Sequence, residues 1–397
     1  MPDGQTAYKI VNHANLQTMI IGFDGKRAVQ NNTGLGNYSR LVVDSLSRYY
    51  PANSYRLYAP VRRANPRLTP VLAHDNVELV TPDTAFGRIA HPIWRSYGVT
   101  SQARADGCEL FHGLSGELPF NIGSGGMVSV VTIHDLIFRH YPEYYAAIDC
   151  KIYDYKFRRA CADATRVIAI SECTKRDIID FYGTPADKID VIYQGCHEQF
   201  GAAIAPEKLE HVRRQYQLPE RYIVTVGTVE SRKNQLLAVK ALELLPRDVV
   251  LYIVGGSTPY ADEINRYVEE NGLSERVRRL EGIPFDHLPA LYAMASVSGY
   301  TSRFEGFGLP VIESINSGTP VIACTGSVLE EAGGSGAVYI DPDDVDAFAE
   351  AAMHIMEDQE LRARMVREGQ AYTARFSHRA MADAIMTTYR RALEELK

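Results

Sequence analysis

Short β-rich runs alternate with helix-patterned segments along almost the whole chain, and this alternation limits the fold more than any other feature. Tyr38, Val42 and Leu46 follow a β-rich run and have the spacing of one helix face. Strands joined through helices in this way form a mostly parallel sheet with helices on both faces, so an α/β fold is predicted. The predicted strands of the first half are residues 19–23, 55–59, 77–80, 127–133, 167–170 and 190–193, with a further strand ending at residue 113.

The alternation weakens between residues 199 and 219 and then restarts. The strands predicted after it are residues 222–226, 249–254, 277–280, 297–300, 320–323 and 337–340. This break predicts two doubly wound, Rossmann-like domains, at residues 1–200 and 201–378. Residues 379–397 are predicted to form a final helix, in which Met381, Ile385 and Tyr389 share one face.

Composition excludes several classes of protein. A net charge of −7 argues against a nucleic-acid partner. The polar N-terminus and the lack of a long apolar run predict a cytoplasmic protein without a signal peptide or membrane span. The six cysteines lack C-x-x-C spacing, which favours reduced thiols over disulfides or a zinc site, and no metal or cofactor is expected.

The most specific motif is E-G-F-G-L-P-V-I-E at residues 305–313. A β-rich run precedes it, and a helix pattern with proline in its first turn follows Gly308. The glycine turn therefore presents free backbone amides at a helix N-terminus, with Glu305 at the strand end and Glu313 one turn into the helix. Carboxylates beside exposed amides suit a polyhydroxylated ligand, because the carboxylates accept from its hydroxyls while the amides donate.

This motif resembles the E-x7-E signature of the retaining glycosyltransferases of family 4. The resemblance extends from about residue 19 to residue 392. It implies a GT-B fold, in which two Rossmann-like domains face each other across a cleft and a C-terminal helix crosses back to the first domain. It also implies a metal-independent hexosyltransferase whose Glu305 contacts the donor sugar and whose Glu313 contacts the ribose. The predicted binding residues between them are Gly306, Phe307, Gly308 and Leu309.

A basic motif follows the first strand of the second half. Arg232 and Lys233 lie after a strand and before a helix, an arrangement that favours a diphosphate site. The segment from Gly227 to Asn234 is similar to the G-x4-R-K-N stretch of the same family, with Ser231 where many relatives have proline. There the two cations would stabilise the leaving nucleoside diphosphate.

Further site residues are predicted at other strand ends. The H-D-L-I stretch that begins at His134 resembles that of many family 4 enzymes, which implies that His134 contacts the transferred sugar and that Asp135 orients it or faces the acceptor. Gly34 and Gly36 have the spacing of a phosphate loop, and the resemblance implies that they close over the diphosphate or the acceptor. Ser171 is interpreted as a structural helix cap. The resemblance also implies that the nucleobase binds at Gly255 and Ile283.

The resemblance leaves the substrates open. The H-D-L-I stretch favours GDP-mannose over UDP-glucose as the nucleotide-sugar donor. The expected acceptor is a glycan or a lipid-linked acceptor of polysaccharide or lipopolysaccharide biosynthesis. The alternatives are a GT-B sugar-nucleotide epimerase, a phosphorylase, which should carry a pyridoxal-phosphate lysine motif that we do not identify, and a non-catalytic nucleotide-sugar-binding scaffold.

Residues 62–67 form a basic loop that carries Arg62, Arg63 and Arg67. A solvated loop is the favoured interpretation, and peripheral contact with anionic lipid at the inner membrane face is the alternative. The sequence gives no indication of the oligomeric state.

Overall fold

The computed structural model describes residues 18–395 of the chain. Within this range the strands form two parallel sheets, one on each side of residue 200. The first sheet contains β1 (Ile20–Asp24), β2 (Ser54–Tyr58), β3 (Val77–Val80), β4 (Leu110–Gly113), β5 (Val128–Ile133), β6 (Arg166–Ala169) and β7 (Ile189–Val191). The second contains β8 (Tyr222–Val226), β9 (Val250–Val254), β10 (Val277–Leu280), β11 (Val297–Tyr300), β12 (Val321–Cys324) and β13 (Ala337–Ile340).

Both sheets have a doubly wound strand order. The first runs β3-β2-β1-β4-β5-β6-β7 and the second β10-β9-β8-β11-β12-β13. The direction of winding therefore reverses between β1 and β4, and again between β8 and β11. Ligands of open α/β sheets bind beyond the carboxyl ends of the strands at such reversal points. The topology thus indicates one ligand crevice on each sheet.

Helices connect nearly all of these strands, as the alternation predicts. A π-helical segment, Trp94–Gly98, joins α5 to α6, and short 3-10 turns fill several connections. The helices are α1 (Lys26–Gln30), α2 (Gly34–Tyr49), α3 (Thr69–Leu72), α4 (Ala85–Ile89), α5 (His91–Ile93), α6 (Val99–Ala105), α7 (Ile137–His140), α8 (Ala147–Asp163), α9 (Glu172–Tyr182), α10 (Pro206–Tyr216), α11 (Gln235–Ala241), α12 (Tyr260–Glu270), α13 (Leu288–Ala293), α14 (Leu309–Asn316), α15 (Leu329–Gly333), α16 (Val345–Glu357), α17 (Gln359–Thr373) and α18 (His378–Glu394).

Each predicted strand is present, with its bounds shifted by at most two residues. The central strands are easy to recognise because both faces of a parallel sheet are covered, so their sequences are apolar throughout. All six residues of β5 are buried, for example.

The C-terminal helix packs on the first sheet, which confirms the expected crossing back. Met381, Ile385 and Tyr389 are buried in one cluster with residues of α2, β1 and β2. The Tyr389 hydroxyl lies 2.6 Å from Nδ1 of the buried His112 on β4. The helix therefore joins the end of the chain to the core of the first half.

The division near residue 200 stays a prediction. The first sheet ends at residue 191, the second begins at residue 222, and α10 lies between them. Val212 of α10 and Leu218 belong to the hydrophobic cluster around the second sheet.

Candidate functional site

Glu305 lies at the reversal point of the second sheet, just after β11, and its carboxylate contacts both predicted cations. Oε1 is 2.9 Å from an Arg232 guanidinium nitrogen and 2.9 Å from Lys233 Nζ. It also accepts hydrogen bonds from the hydroxyls of Tyr300, at 3.0 Å, and Ser302, at 2.7 Å. Among the described residues all of these contacts end on Oε1, so Oε2 is left for a ligand hydroxyl.

The cluster is mostly buried, and its charges hold one another ionised. The side chains of Glu305, Arg232 and Lys233 are 12%, 15% and 14% exposed. Burial alone would raise the pKa of Glu305, but the Lys233 ammonium and the Arg232 guanidinium outweigh it and lower that pKa to about 2. The same ion pair raises the pKa of Lys233 against the effect of its own burial. The site therefore presents two permanent cations beside a permanent carboxylate.

Residues 306–308 form the turn between β11 and α14. Gly308 has a φ of 108°, which favours glycine, and it caps the N-terminus of α14. The backbone amides of Gly306, Phe307 and Gly308 donate to no other residue of the described range. They are free to bind an anion at the start of the helix, close to Arg232 and Lys233.

The side chain of Phe307 points away from the turn, and the predicted binding role of this residue stays a prediction. It is buried at 3% exposure and stacks on Tyr193, with ring centroids 5.6 Å apart. It also packs edge-to-face on Phe376. Only the backbone of Phe307 is therefore available to a ligand, and the side chain anchors the turn to the core.

His134 follows β5 of the first sheet and faces this turn from across the cleft. A Cβ atom on Gly306 would come within 2.5 Å of the His134 carbonyl oxygen, so the two segments approach closely. The ring Nε2 lies 2.9 Å from the carbonyl oxygen of Leu114, and the ring meets Tyr38 edge-on at 4.5 Å. Burial lowers the pKa of His134 to about 4, so the imidazole is neutral with Nε2–H donating and Nδ1 left as an acceptor.

Asp135 lies between the two halves of the site. Its Oδ1 accepts from the backbone amide of Ile137 at 3.2 Å, which ties it to the start of α7. Burial raises the pKa of Asp135, while the Arg232 guanidinium lowers it and the Glu305 carboxylate raises it further. The structure thus brings His134 and Asp135 of the first sheet close to Arg232, Glu305 and Gly306 of the second.

Glu313 occupies a separate position on α14 and makes no described contact with Glu305. Burial raises the pKa of Glu313 to about 7, and the Tyr292 hydroxyl beside it acts in the opposite direction. Cys196 also lies close enough for the Glu313 charge to raise the pKa of its thiol. Glu313 is therefore a carboxyl group that titrates near neutral pH.

The glycines predicted around the nucleotide allow close backbone approach. Gly227 follows β8 with a φ of 144°, and the Lys233 side chain passes 3.1 Å from where its Cβ would be. Gly255 follows β9 with a φ of 156°, and a Cβ there would lie 2.0 Å from the Gly227 carbonyl oxygen. Ile283 is half-buried beside Gly282. The nucleobase role of Gly255 and Ile283 stays a prediction.

Gly34 and Gly36 correct one expectation. They lie in the first turn of α2 rather than in a loop before it. A Cβ on Gly36 would lie 1.9 Å from the Asn31 carbonyl oxygen, so glycine is needed for the chain to double back from α1. Since glycine weakens helices, sequence alone placed the helix start too late. Their role towards diphosphate or acceptor stays a prediction.

Several residues of the site were not predicted. Tyr300 and Ser302 contact Glu305, and the Arg232 guanidinium also binds Glu230 at 2.6 Å. Glu331 of α15 crosses the cleft and accepts from the backbone amide of Cys173 at 2.8 Å. The position of Tyr300 at the end of a predicted strand was a signal, whereas nothing in the sequence pairs Glu331 with residue 173.

Three further findings concern a helix cap, metal binding and membrane spans. The Ser171 hydroxyl accepts from the Thr174 amide at 3.0 Å and caps α9, as predicted. Within residues 18–395, no cluster of histidine, cysteine and acidic side chains has the arrangement of a metal site. No helix in that range has the length and apolar character needed to span a membrane.

Comparison with known families identifies the chain. Residues 41–200 match the family described as Glycosyltransferase Family 4, and residues 209–372 match the family described as Glycosyl transferases group 1. The two matches meet near the predicted boundary and together cover most of the chain.

Individual relatives agree with these families. O-antigen chain mannosyltransferase B of Escherichia coli is 29% identical over 68% of this chain and 70% of its own length. O-antigen chain mannosyltransferase RfbU of Salmonella typhimurium is 28% identical over 57% of this chain and 60% of its own length. Among solved structures, HepE of Anabaena in complex with UDP and glucose superimposes with a TM-score of 0.75 at 21% identity, over 94% of this chain and all of HepE.

The structural likeness shows the fold, and the family matches show the class of enzyme. The chain belongs to the group 1, family 4 glycosyltransferases, a hexosyltransferase family with the GT-B fold.

Proposed function

We propose that the chain transfers a hexose from a nucleotide sugar to an acceptor hydroxyl and retains the anomeric configuration. The observation that carries this proposal is the cluster of Glu305, Arg232 and Lys233, next to the Gly306 turn that meets the His134 backbone. It combines an anion site for the diphosphate with hydrogen-bond acceptors for the sugar.

The diphosphate would bind between the two cations and the turn at residues 306–308. Lys233 has three N–H donors, of which two reach Tyr300 and Glu305 at 2.9 Å. The third is available to a phosphate oxygen. The free amides of the turn and the N-terminus of α14 add donors from the other side. This arrangement favours the leaving diphosphate, where negative charge develops during the reaction.

The hexose would lie between Glu305 and His134. Oε2 of Glu305 is an acceptor for one sugar hydroxyl, and Nδ1 of the neutral His134 is an acceptor for another. Because these two hydrogen-bond acceptors would bind the same sugar ring from opposite walls, they would fix the position of its C1 atom relative to the acceptor substrate. Glu313, further along α14, would accept from the ribose hydroxyls, with Gly255 and Ile283 near the base. Gly34 and Gly36 would approach the diphosphate or the acceptor from α2.

The reaction proposed for this site proceeds on one face of the sugar. The C1–O bond to the diphosphate breaks, and a bond from C1 to the acceptor oxygen forms on the same face. The proton of the acceptor hydroxyl passes to the leaving diphosphate oxygen. Arg232 and Lys233 stabilise the diphosphate throughout, and Asp135 orients the acceptor side of the cleft.

GDP-mannose is the donor that we propose. Two relatives are named O-antigen chain mannosyltransferases, which supports mannose and an acceptor in polysaccharide assembly. The complex of HepE with UDP and glucose makes UDP-glucose the alternative. Thermal stabilisation by each donor, followed by acceptor-free hydrolysis, distinguishes them: GDP-mannose should give the larger midpoint shift, and a larger shift with UDP-glucose contradicts the mannose assignment.

A further inference from the structure

Two cations at the end of β1 form no ion pair with any other residue in the described part of the chain. Lys26 and Arg27 open α1 and are half-buried. Neither side chain forms an ion pair or a hydrogen bond with any other residue of the described range. Burial lowers the pKa of Lys26 and the Arg95 guanidinium lowers it further, while the Glu117 and Asp24 carboxylates act in the opposite direction. Half-buried cations without a partner lose solvation, and an anionic ligand would restore it.

The charged groups around this pair do not neutralise it. Arg95 binds both Asp24 and Glu117, the latter at 2.6 Å. Lys156 lies 3.2 Å from the same Glu117 carboxylate. The Asp24 and Glu117 carboxylates are thus balanced by Arg95 and Lys156. The charges of Lys26 and Arg27 therefore give this region a local excess of two positive charges. This excess is local, because the whole chain carries a net charge of −7.

The pair lies where an acceptor must approach the donor sugar. Lys26 and Arg27 follow β1, which together with β4 forms the reversal point of the first sheet. Arg27 is close enough to His134 to lower the pKa of the imidazole. A ligand held by this pair would therefore reach the sugar from the wall of the cleft opposite Glu305.

We propose that Lys26 and Arg27, supported by Arg95 and Lys156, bind a phosphate group carried by the acceptor. This inference rests on the proposed transferase function, because it names the chemistry of the acceptor of that same site. Arginine binds a phosphate through two parallel hydrogen bonds, and lysine adds a compact charge. Arg95 and Lys156 line a small adjacent pocket together with Asp24, Glu117 and Phe120.

The phosphate has two possible sources, a soluble phosphorylated sugar or a lipid head group. An apolar strip borders the pocket: the exposed rings of Tyr97 and Tyr155 flank Phe120, with centroids 5.6 and 6.3 Å away. Ile93 lies one turn before Tyr97, and Ile152 one turn before Tyr155, and both are exposed. The acyl chains of a lipid could pack on this apolar strip while its phosphate is bound by Lys26 and Arg27.

The test measures phosphate binding while the donor site is full. Calorimetric titration with inorganic phosphate is done at constant ionic strength, with saturating GDP or UDP, for wild type and for Lys26→Gln/Arg27→Gln. The matched control is Arg62→Gln/Arg63→Gln, which removes the same charge from an exposed loop. We expect the first double variant to bind phosphate at least about tenfold more weakly and the control to match wild type.

Vesicle sedimentation then distinguishes the sources. Phosphatidylcholine vesicles with and without phosphatidylglycerol are compared for wild type, for Lys26→Gln/Arg27→Gln and for Ile152→Ser/Tyr155→Ser. If wild type binds the anionic vesicles and both double variants lose this binding, the result supports a lipid-linked phosphate. Phosphate binding without vesicle binding supports a soluble phosphorylated acceptor.

Three outcomes overturn the inference. If wild type with bound nucleotide takes up no phosphate, or if the control loses as much affinity as Lys26→Gln/Arg27→Gln, the pair is not a phosphate site. If neither GDP nor UDP binds, the proposed transferase function itself fails, and the acceptor role fails with it. Circular dichroism of each variant checks that the fold is retained.

Discussion

Lys233 Nζ lies 2.9 Å from Glu305 Oε1, although 72 positions separate the two residues in the chain. The contact forms because Lys233 follows β8 and Glu305 follows β11, which are neighbours in the second sheet. The ion pair is largely buried, so removing either partner leaves the other charge uncompensated.

Glu305→Gln should lower turnover by about 100-fold or more while the variant still binds donor. The amide keeps the shape of the side chain but loses the charge that holds the two cations and the sugar. Steady-state rates and donor titration measure the two effects. Glu275→Gln, whose side chain is 94% exposed, is the control and should behave as wild type. An unchanged turnover of Glu305→Gln contradicts the assignment.

Lys233→Met should weaken both donor binding and turnover, the latter by about 100-fold or more, because the diphosphate loses a permanent positive charge. The matched control is Lys208→Met, which breaks an exposed ion pair with Asp286 instead. Kinetics with a donor that has a better leaving group, such as a glycosyl fluoride with free nucleoside diphosphate added, should restore part of the lost rate. Equal losses of donor affinity and turnover in Lys233→Met and Lys208→Met would show a general effect of charge and contradict this role of Lys233.

Donor binding should depend on pH through Glu313. In the free protein its pKa is about 7, so the carboxyl is mostly protonated below that pH and cannot accept from both ribose hydroxyls. We expect the Kd of the nucleotide sugar to fall as pH rises through about 7, and to be higher and less pH-dependent in Glu313→Gln. If the Kd has the same pH dependence in wild type and in Glu313→Gln, Glu313 does not control donor binding.

Stability should show the opposite dependence on pH. A carboxyl whose pKa is raised in the folded state binds a proton that the unfolded chain has already lost. Its contribution is therefore fully present below the usual glutamate pKa of 4.5 and is lost as pH rises towards 7. Between these limits the difference in thermal midpoint, Glu313→Gln minus wild type, should increase with pH.

Glu331→Ala should loosen the contact between the two halves of the chain. The Glu331 carboxylate accepts from the amides of Glu172 and Cys173 at the N-terminus of α9, at 2.7 and 2.8 Å. Such charge-assisted bonds contribute about 1–2 kcal/mol. Small-angle scattering should show a larger radius of gyration. Glu330→Ala, which removes the neighbouring carboxylate from its contact with Thr325, is the control and should leave it unchanged.

The sequence predicted the fold well because buried parallel strands are apolar on both faces. It predicted individual site residues at strand ends, but not which strands are neighbours, since nothing local encodes strand order. Glu331 was missed because its partners at positions 172 and 173 are remote. The packing of the Phe307 ring on Tyr193 was not predicted either, because a motif does not show where a side chain points. Arg27 was missed because its unpaired state depends on the surrounding charges.

The most direct test of the transferase assignment is a donor panel on wild type and Glu305→Ala. Thermal shift and acceptor-free hydrolysis are measured for GDP-mannose, UDP-glucose, UDP-N-acetylglucosamine and ADP-glucose without added metal. We expect that one donor, GDP-mannose, stabilises both wild type and Glu305→Ala and that only wild type hydrolyses it. Failure of every donor to stabilise wild type, or equal hydrolysis by Glu305→Ala, would contradict it.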